Sequence, residues 1–430
     1  MTTLDQRRRT GGRTRRPFLG PGWPLYVLLY GYPVWWFLGL GVVMWFVMAV
    51  PAAAWLWGRS RIVAPPGFGV WALFVAWMLL SASQVPAVDD LRVFVVRAAV
   101  YVAAGVYFIV AFNLPPGHTQ RIRRAVAFFF SFAVIIGLAA IVLPFSDFVT
   151  PFERALPRSI SSIAYVNQLV HGQLAQVHVF LGFPVNRPAA PFAFTNEWGS
   201  AIGILAPIAA FSITRAKRST TRRLALGVAA LSLIPIIYSL NRGLWLSLAV
   251  AVTYISVRLA IHGRARPLIN VLALGTVLLV LVLTTPLGTL AGDRLDTGHS
   301  DDRRADLVGE SISTTFESPI VGHGGPVVNV DSPDRAPIGT HGQLYLLGVS
   351  HGIPGAMLYL ATLGIVLVRS RRGGPDTIAF WANTSVFVAL VQVFFYSHVP
   401  LQIQLILIIS ALALRPPETV RVRKTSSATA

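Results

Sequence analysis

The chain has no cysteine among its 430 residues, which excludes disulfides and any Cys-ligated metal or redox centre. Lysine is nearly absent, at Lys217 and Lys424 alone, so arginine carries almost all of the positive charge. Charged residues of every kind make up 12% of the sequence, about half the share of a soluble domain. No convincing internal repeat is present, which argues against a transporter assembled from inverted repeats. The basic start, RRRTGGRTRRP, precedes an apolar stretch without a small-residue cleavage site. It reads as a retained cytoplasmic tail, not a cleaved signal.

What the chain has in excess is apolar length. Hydrophobic residues reach 54%, in blocks of about 18 to 25 residues, the length that crosses a bilayer core of roughly 30 Å as helix. The expected fold class is all-α: a polytopic membrane protein with about 12 transmembrane helices. The run 25–57 is too long for one ordinary span. Pro33, Pro51 and the pair Gly39 and Gly41 divide it into two short helices, read as a re-entrant hairpin. Further spans are expected at 68–85, 91–112, 125–143, 197–214, 224–239, 243–260, 268–285, 341–368, 377–396 and 401–414.

The net charge of +19 does not point to nucleic acid, because the arginines fall in short clusters between spans. Those clusters lie at both termini and at 58–61, 117–124, 215–223, 262–266 and 369–373, all on one side of the expected topology. By the positive-inside rule that side is the cytoplasm. The organisation is then a basic tail (1–22), a membrane domain (23–414) and a second basic tail (415–430). Two long loops, 144–195 and 286–340, face outward. Membrane lipids surround the chain and both termini are cytoplasmic.

Candidate functional groups concentrate in the outward segments. Arg242, in SLNRG, either snorkels to the headgroups or points into a cavity; Gly243 after it permits a tight turn and close approach of a ligand. Arg187 lies in a loop otherwise poor in positive charge, with Asn196 and Glu197 just before the next span. Arginine pairs with diphosphate oxygens through two charge-assisted hydrogen bonds, so two outward arginines can clamp a pyrophosphate without a metal. Arg303 and Arg304 sit among Asp301, Asp302 and Asp306, either as a solvated salt-bridged face or with one arginine as a third phosphate contact. The Asp301–Asp302 pair lacks further ligands at helical spacing, so no metal site is expected. His341 opens a span after the second long loop. A histidine at that level titrates near neutral pH and suits a general base on a sugar hydroxyl; an interfacial or capping role is the alternative. His323, in a glycine-rich turn, and His351, further along the helix, are weaker candidates.

Taken in order, these segments resemble the O-antigen ligase and O-antigen polymerase superfamily of bacterial envelope glycosyltransferases. The family pattern has a His followed by Asn, Ser or Gln, then nine residues, a Gly, two residues and a small residue. His341, Gly352 and Gly355 reproduce the spacing; Gly342 departs from it, with Gln343 next door to supply the amide. Ser239-Leu240-Asn241-Arg242-Gly243 resembles the family's Arg-Gly helix end. Arg187, Phe194, Asn196 and Gly199 resemble its Arg-to-Asn signature, and Pro319, Gly322, Gly324 and Gly325 the turn before its histidine. The resemblance covers roughly residues 180–365.

It implies a GT-C-type enzyme that moves a glycan from a polyprenyl-pyrophosphate carrier to an acceptor hydroxyl outside the cytoplasmic membrane. The reaction would be inverting, without metal or cofactor. Arg187 and Arg242 would bind the diphosphate and His341 would be the base, with Asn196, Glu197 and Gln343 in support. The acceptor is either a second glycan (polymerase) or another glycan- or lipid-bearing envelope molecule (ligase). The rival reading is a transporter or flippase of lipid-linked saccharides. That reading needs charge near mid-span, where only Arg97 clearly lies.

Overall fold

The computed structural model describes residues 20–143, 147–180, 183–284, 299–328 and 337–416. The two basic tails lie outside the described residues except for 20–22 and 415–416. Each of the expected apolar segments is helical. Helices α1 (Trp23–Phe37) and α2 (Val43–Trp57) divide the 25–57 run at Gly39 and Gly41, whereas Pro33 and Pro51 lie inside the helices and break neither. There follow α3 (Phe68–Leu80) with a 3-10 turn Ser81–Gln84, α4 (Val88–Asn113) and α5 (His118–Val142).

The first long loop is not irregular. It holds two small two-stranded antiparallel sheets, β1 (Asp147–Phe148) with β2 (Gly172–Gln173), and β3 (Ala175–Phe180) with β4 (Phe183–Pro188). Short helices α6 (Pro151–Ala155), α7 (Arg158–Ser161) and α8 (Ala164–Val170) lie between β1 and β2. An all-α expectation missed these strands. They are two to six residues long and surrounded by proline, so no extended alternating pattern marks them. The bundle resumes with α9 (Thr195–Thr214), α10 (Ser219–Tyr238), α11 (Arg242–Ile261) and α12 (Arg266–Thr284). The second loop contains α13 (His299–Glu317), and α14 (Gln343–Ser370), α15 (Ile378–Gln392) and α16 (Gln402–Leu414) complete the fold.

Among the described residues, α4, α5, α9, α10, α11 and α14 are the six helices long and apolar enough to cross a membrane; α2, α3, α12, α15 and α16 are apolar but shorter. The helix α16 is buried from Gln402 to Ala413, and its most extensive contact is with α4. A helix apolar on every side belongs in a core, and α16 is that core. By contrast, α10, α11 and α12 present Leu224, Leu233, Ile237, Val252, Leu272 and Leu274 to the outside. In water so continuous an apolar face would aggregate, so lipid is its fitting neighbour.

The connections sort to opposite ends of α9, α11 and α14. At one end the basic segments meet. Arg215 and Arg264 both reach Asp376, at 3.5 and 3.2 Å. The buried Arg258 donates to the carbonyls of Phe380, Arg371 and Gly373, and Arg415 donates to those of Ala111 and Pro115. Several of these carbonyls lie at the C-terminal ends of α4 and α14, where a cation complements the helix dipole. At the other end the polar loops meet. Arg187 Nε donates to the Ser239 carbonyl at 2.5 Å, and the Tyr396 hydroxyl donates to Asn241 Oδ1. Gly39 (φ 80°) lies so near Thr150 that a Cβ there would be 2.1 Å from its hydroxyl.

Within α14 the helix breaks at Gly352, whose φ of 70° and ψ of 179° are non-helical. The single continuous span expected at 341–368 is thus two helices in series. The break frees backbone groups, and the Pro319–Gly324 turn satisfies them. His323 N–H donates to Val349 O at 2.9 Å, Gly324 N–H to Ser350 O at 2.8 Å, and Ile353 N–H to Pro319 O at 2.8 Å. The two segments approach so closely that a Cβ on Gly352 would collide with the Ile320 carbonyl oxygen. Backbone strain and that collision together make Gly352→Ala cost roughly 2–4 kcal/mol. Thermal unfolding in detergent is expected to show a clear loss of stability; an unchanged midpoint would refute this account of the break.

Candidate functional site

His341 sits on the last turn before α14, and the C-terminal end of α15 fixes it there. Gln343 N–H donates to Tyr396 O at 2.8 Å and Leu344 N–H to Val393 O at 2.9 Å, so the first amides of α14 are satisfied by a neighbouring backbone. The same approach explains Gly342, since a Cβ would lie 3.0 Å from the carbonyl oxygens of both Phe394 and Val393. The residue that departs from the family pattern is the one that lets residues 393–396 pass.

Gln343 is fully buried beneath this turn and does not line the cavity described below. Its Nε2 donates to the Tyr101 hydroxyl at 2.9 Å, and its Oε1 accepts from His398 N–H at 2.8 Å. The His398 ring meets the Tyr359 hydroxyl at 2.7 Å, and burial pushes its pKa down to about 3, which keeps it neutral. Gln343 therefore braces the turn and does not present an amide to a substrate.

Above the turn lies a cavity of about 720 Å³. It brings His341 together with Arg97 from α4, Asn196 and Glu197 from the start of α9, and Tyr396 from the end of α15. Ala305 and Val308 of α13 form part of its wall. Glu197 is held in place by Ala193 N–H, which donates to its Oε2 at 3.2 Å. Arg97 reaches the same region as the glycine turn: a Cβ on Gly325 would stand 3.5 Å from Arg97 Nη1.

Arg187 and Arg242 are not among the residues lining this cavity. They meet each other's segments just beside it. Arg187, on β4 and opposite Gln176 in the strand register, binds the carbonyl at the end of α10. Asn241 caps α11 by accepting from Leu244 N–H at 3.2 Å, donates to Thr195 O at 3.1 Å and receives the Tyr396 hydroxyl. Arg242 follows it, exposed, as the first residue of α11. The tight turn belongs to Leu240, with φ 47°, and not to Gly243. The space that Gly243 leaves is filled by Tyr396, whose hydroxyl would be 2.7 Å from a Cβ there, so the close approach is by protein and not by ligand. Arg303 and Arg304 lie in α13, and their side chains fall outside the described residues. His323 joins the Gly352 break, with Nδ1 3.3 Å from Val349 O. His351 is buried at the break, with Nδ1 2.7 Å from the Ser81 hydroxyl.

Two features escaped the sequence. Arg97 reads as an isolated mid-span charge, because nothing local says that α4 borders the cavity. In the first loop Glu153 accepts from Asn167 Nδ2 at 3.1 Å and faces His171 Nδ1 at 2.9 Å, while completing a capping box with Thr150. The Thr-x-x-Glu spacing was the available signal for that hub.

The fold and cavity together define a mostly helical protein with, among the described residues, six helices long and apolar enough to cross a membrane and a polar cavity at the end where its long loops meet. No protein-family model matches the chain, and no curated protein does. The placement of Gln343 gives a direct expectation. Gln343→Leu strands the buried His398 amide, and is expected to cost roughly 1–3 kcal/mol in thermal unfolding. A variant as stable as the parent but inactive would instead make Gln343 a substrate contact.

Proposed function

We propose that this protein transfers a glycan from a polyprenyl-pyrophosphate carrier to an acceptor hydroxyl, as the resemblance to the O-antigen ligase and polymerase superfamily suggests. The observation that carries the reading is one cavity of about 720 Å³ shared by His341 and Arg97. A carrier diphosphate is already a good leaving group, so the chemistry asks only for charge stabilisation and a positioned base. In the proposed step the acceptor oxygen attacks the anomeric carbon of the donor sugar and the bond from that carbon to the diphosphate breaks. The electron pair leaves on the diphosphate oxygen and the hydroxyl proton passes to the His341 imidazole. Displacement from the opposite face inverts the anomeric centre.

Arg97 is the arginine that the cavity itself presents to the departing charge. Arg187 and Arg242, next to the Asn241–Tyr396 contact, are assigned to the same diphosphate at the cavity margin, with Arg303 or Arg304 of α13 as a further contact. Asn196 and Glu197 support the acceptor side. In this reading about twelve helices span the cytoplasmic membrane, both termini are cytoplasmic and the cavity opens outward.

The test uses full-length protein in proteoliposomes with lipid-linked glycan. His341→Ala is expected to lower transfer roughly 10²–10⁴-fold, with unreacted donor accumulating. Arg97→Ala is expected to lower it roughly 10²–10³-fold. Transfer at parental rates in either variant refutes the role given to that residue. A flippase reading also draws on Arg97, a charge within a long apolar helix. Movement of labelled donor between leaflets without any product bond would favour it instead.

A further inference from the structure

A second pocket, of about 250 Å³, adjoins the His341 cavity, and the two share walls at Gln168, Gln176, Phe194, Glu197 and Pro400. Its character is different. Among the described residues no lysine or arginine lines it; its ionisable lining is the buried acid Glu197 and the imidazole of His171. Side-chain amides from Asn167, Gln168, Gln173 and Gln176 supply most of the remaining polar lining, together with the rings of Tyr32 and Trp36.

The amides are placed with unused capacity. Gln173 Nε2 donates to Ala175 O at 2.7 Å, which leaves its Oε1 as an acceptor. Gln176 Oε1 accepts from Thr195 N–H at 3.3 Å, which leaves its Nε2 as a donor. Gln168 has no hydrogen-bond partner among the described residues. Each glutamine can therefore offer a group to a ligand without breaking a protein bond. The frame behind them is rigid. Glu153 holds Asn167 and His171, Thr150 Oγ1 donates to Val170 O at 2.7 Å, and Gly39 packs the whole segment against the α1–α2 turn.

Paired donors and acceptors, aromatic faces and the lack of any cation fit a sugar ring whose hydroxyls both donate and accept. They do not fit an anion, which no arginine or lysine of the lining would hold. We propose that this pocket is a subsite for one uncharged sugar residue, a neutral hexose or N-acetylhexosamine, of the glycan handled at the adjoining cavity. The proposal rests on the glycan-transfer reading and assigns a place within it. Charge then orients the substrate: diphosphate toward Arg97 and His341, neutral sugar toward the amides.

The experiment uses full-length protein in lipid nanodiscs and two independent readouts. Saturation-transfer NMR follows glucose, N-acetylglucosamine and glucuronate, while phosphorus NMR follows binding of inorganic pyrophosphate. The two neutral sugars are expected to give saturation signals and glucuronate much weaker ones. Gln173→Leu, and separately Gln173→Ala, at a residue that lines this pocket and not the His341 cavity, are expected to weaken neutral-sugar binding roughly five- to tenfold, the contribution of one hydrogen bond, with pyrophosphate binding unchanged. Pyrophosphate binding without sugar binding, equal binding of glucuronate, or unaltered sugar binding in both variants overturns the subsite and leaves the transfer reading intact. Failure of both ligands to bind overturns both.

Discussion

The break in α14 is the constraint on which the polar end of the molecule depends. A helix inside an apolar bundle has no water to receive backbone groups that its own turns leave unpaired, so any interruption must be satisfied by protein. At Gly352 the protein supplying those bonds is the Pro319–Gly324 turn, through His323, Gly324 and Pro319. That requirement draws the second loop down onto α14 and lays α13 alongside it, with Gly339 N–H donating to Ser311 Oγ at 3.0 Å. His341 then emerges between α13 and the end of α15. The histidine is placed by backbone bonds around it, and its ring is left at the edge of a cavity.

Charge is arranged along the same axis. At the basic end, Arg258 and Arg415 bind carbonyls at or near helix C-termini, and both are buried because those carbonyls repay the lost water. At the polar end, Arg97 enters from the side of α4 to share a cavity with His341. Next to this cationic space lies a pocket of amides and rings. In the proposed function that difference separates the two chemically unlike parts of a lipid-linked glycan. Proximity and orientation, more than any unusual reactive group, would then carry the rate.

Much of the frame was legible in the chain. Apolar runs of spanning length, the glycines that cut residues 25–57, and the arginine clusters at every second connection follow from local chemistry that each segment carries by itself. His341, Asn196 and Glu197 were named from sequence and do share one cavity, because each stands at the start of a helix reached from one of the two long loops. Arg187 and Arg242 were named too, and the structure ties their segments together through Ser239, beside the cavity and not on its lining. Sequence assigned Gln343 to the site by adjacency. Burial assigns it to a network with Tyr101 and His398, since a helix sends successive side chains in different directions.

By itself the sequence determined an arginine-rich helical bundle without cysteine chemistry, with two long polar loops and a histidine at the start of a late helix. Those are properties of composition and period, which need no partner. Only the tertiary structure decided that Gly352 is a break and not a packing contact, that Gly243 makes room for Tyr396, and that Arg97 lines the same cavity as His341. It also decided that a Glu153-centred hub in the first loop shapes a pocket beside them. Each of these depends on two segments far apart in the chain meeting at a given distance, and that distance is set by packing, not by either segment alone.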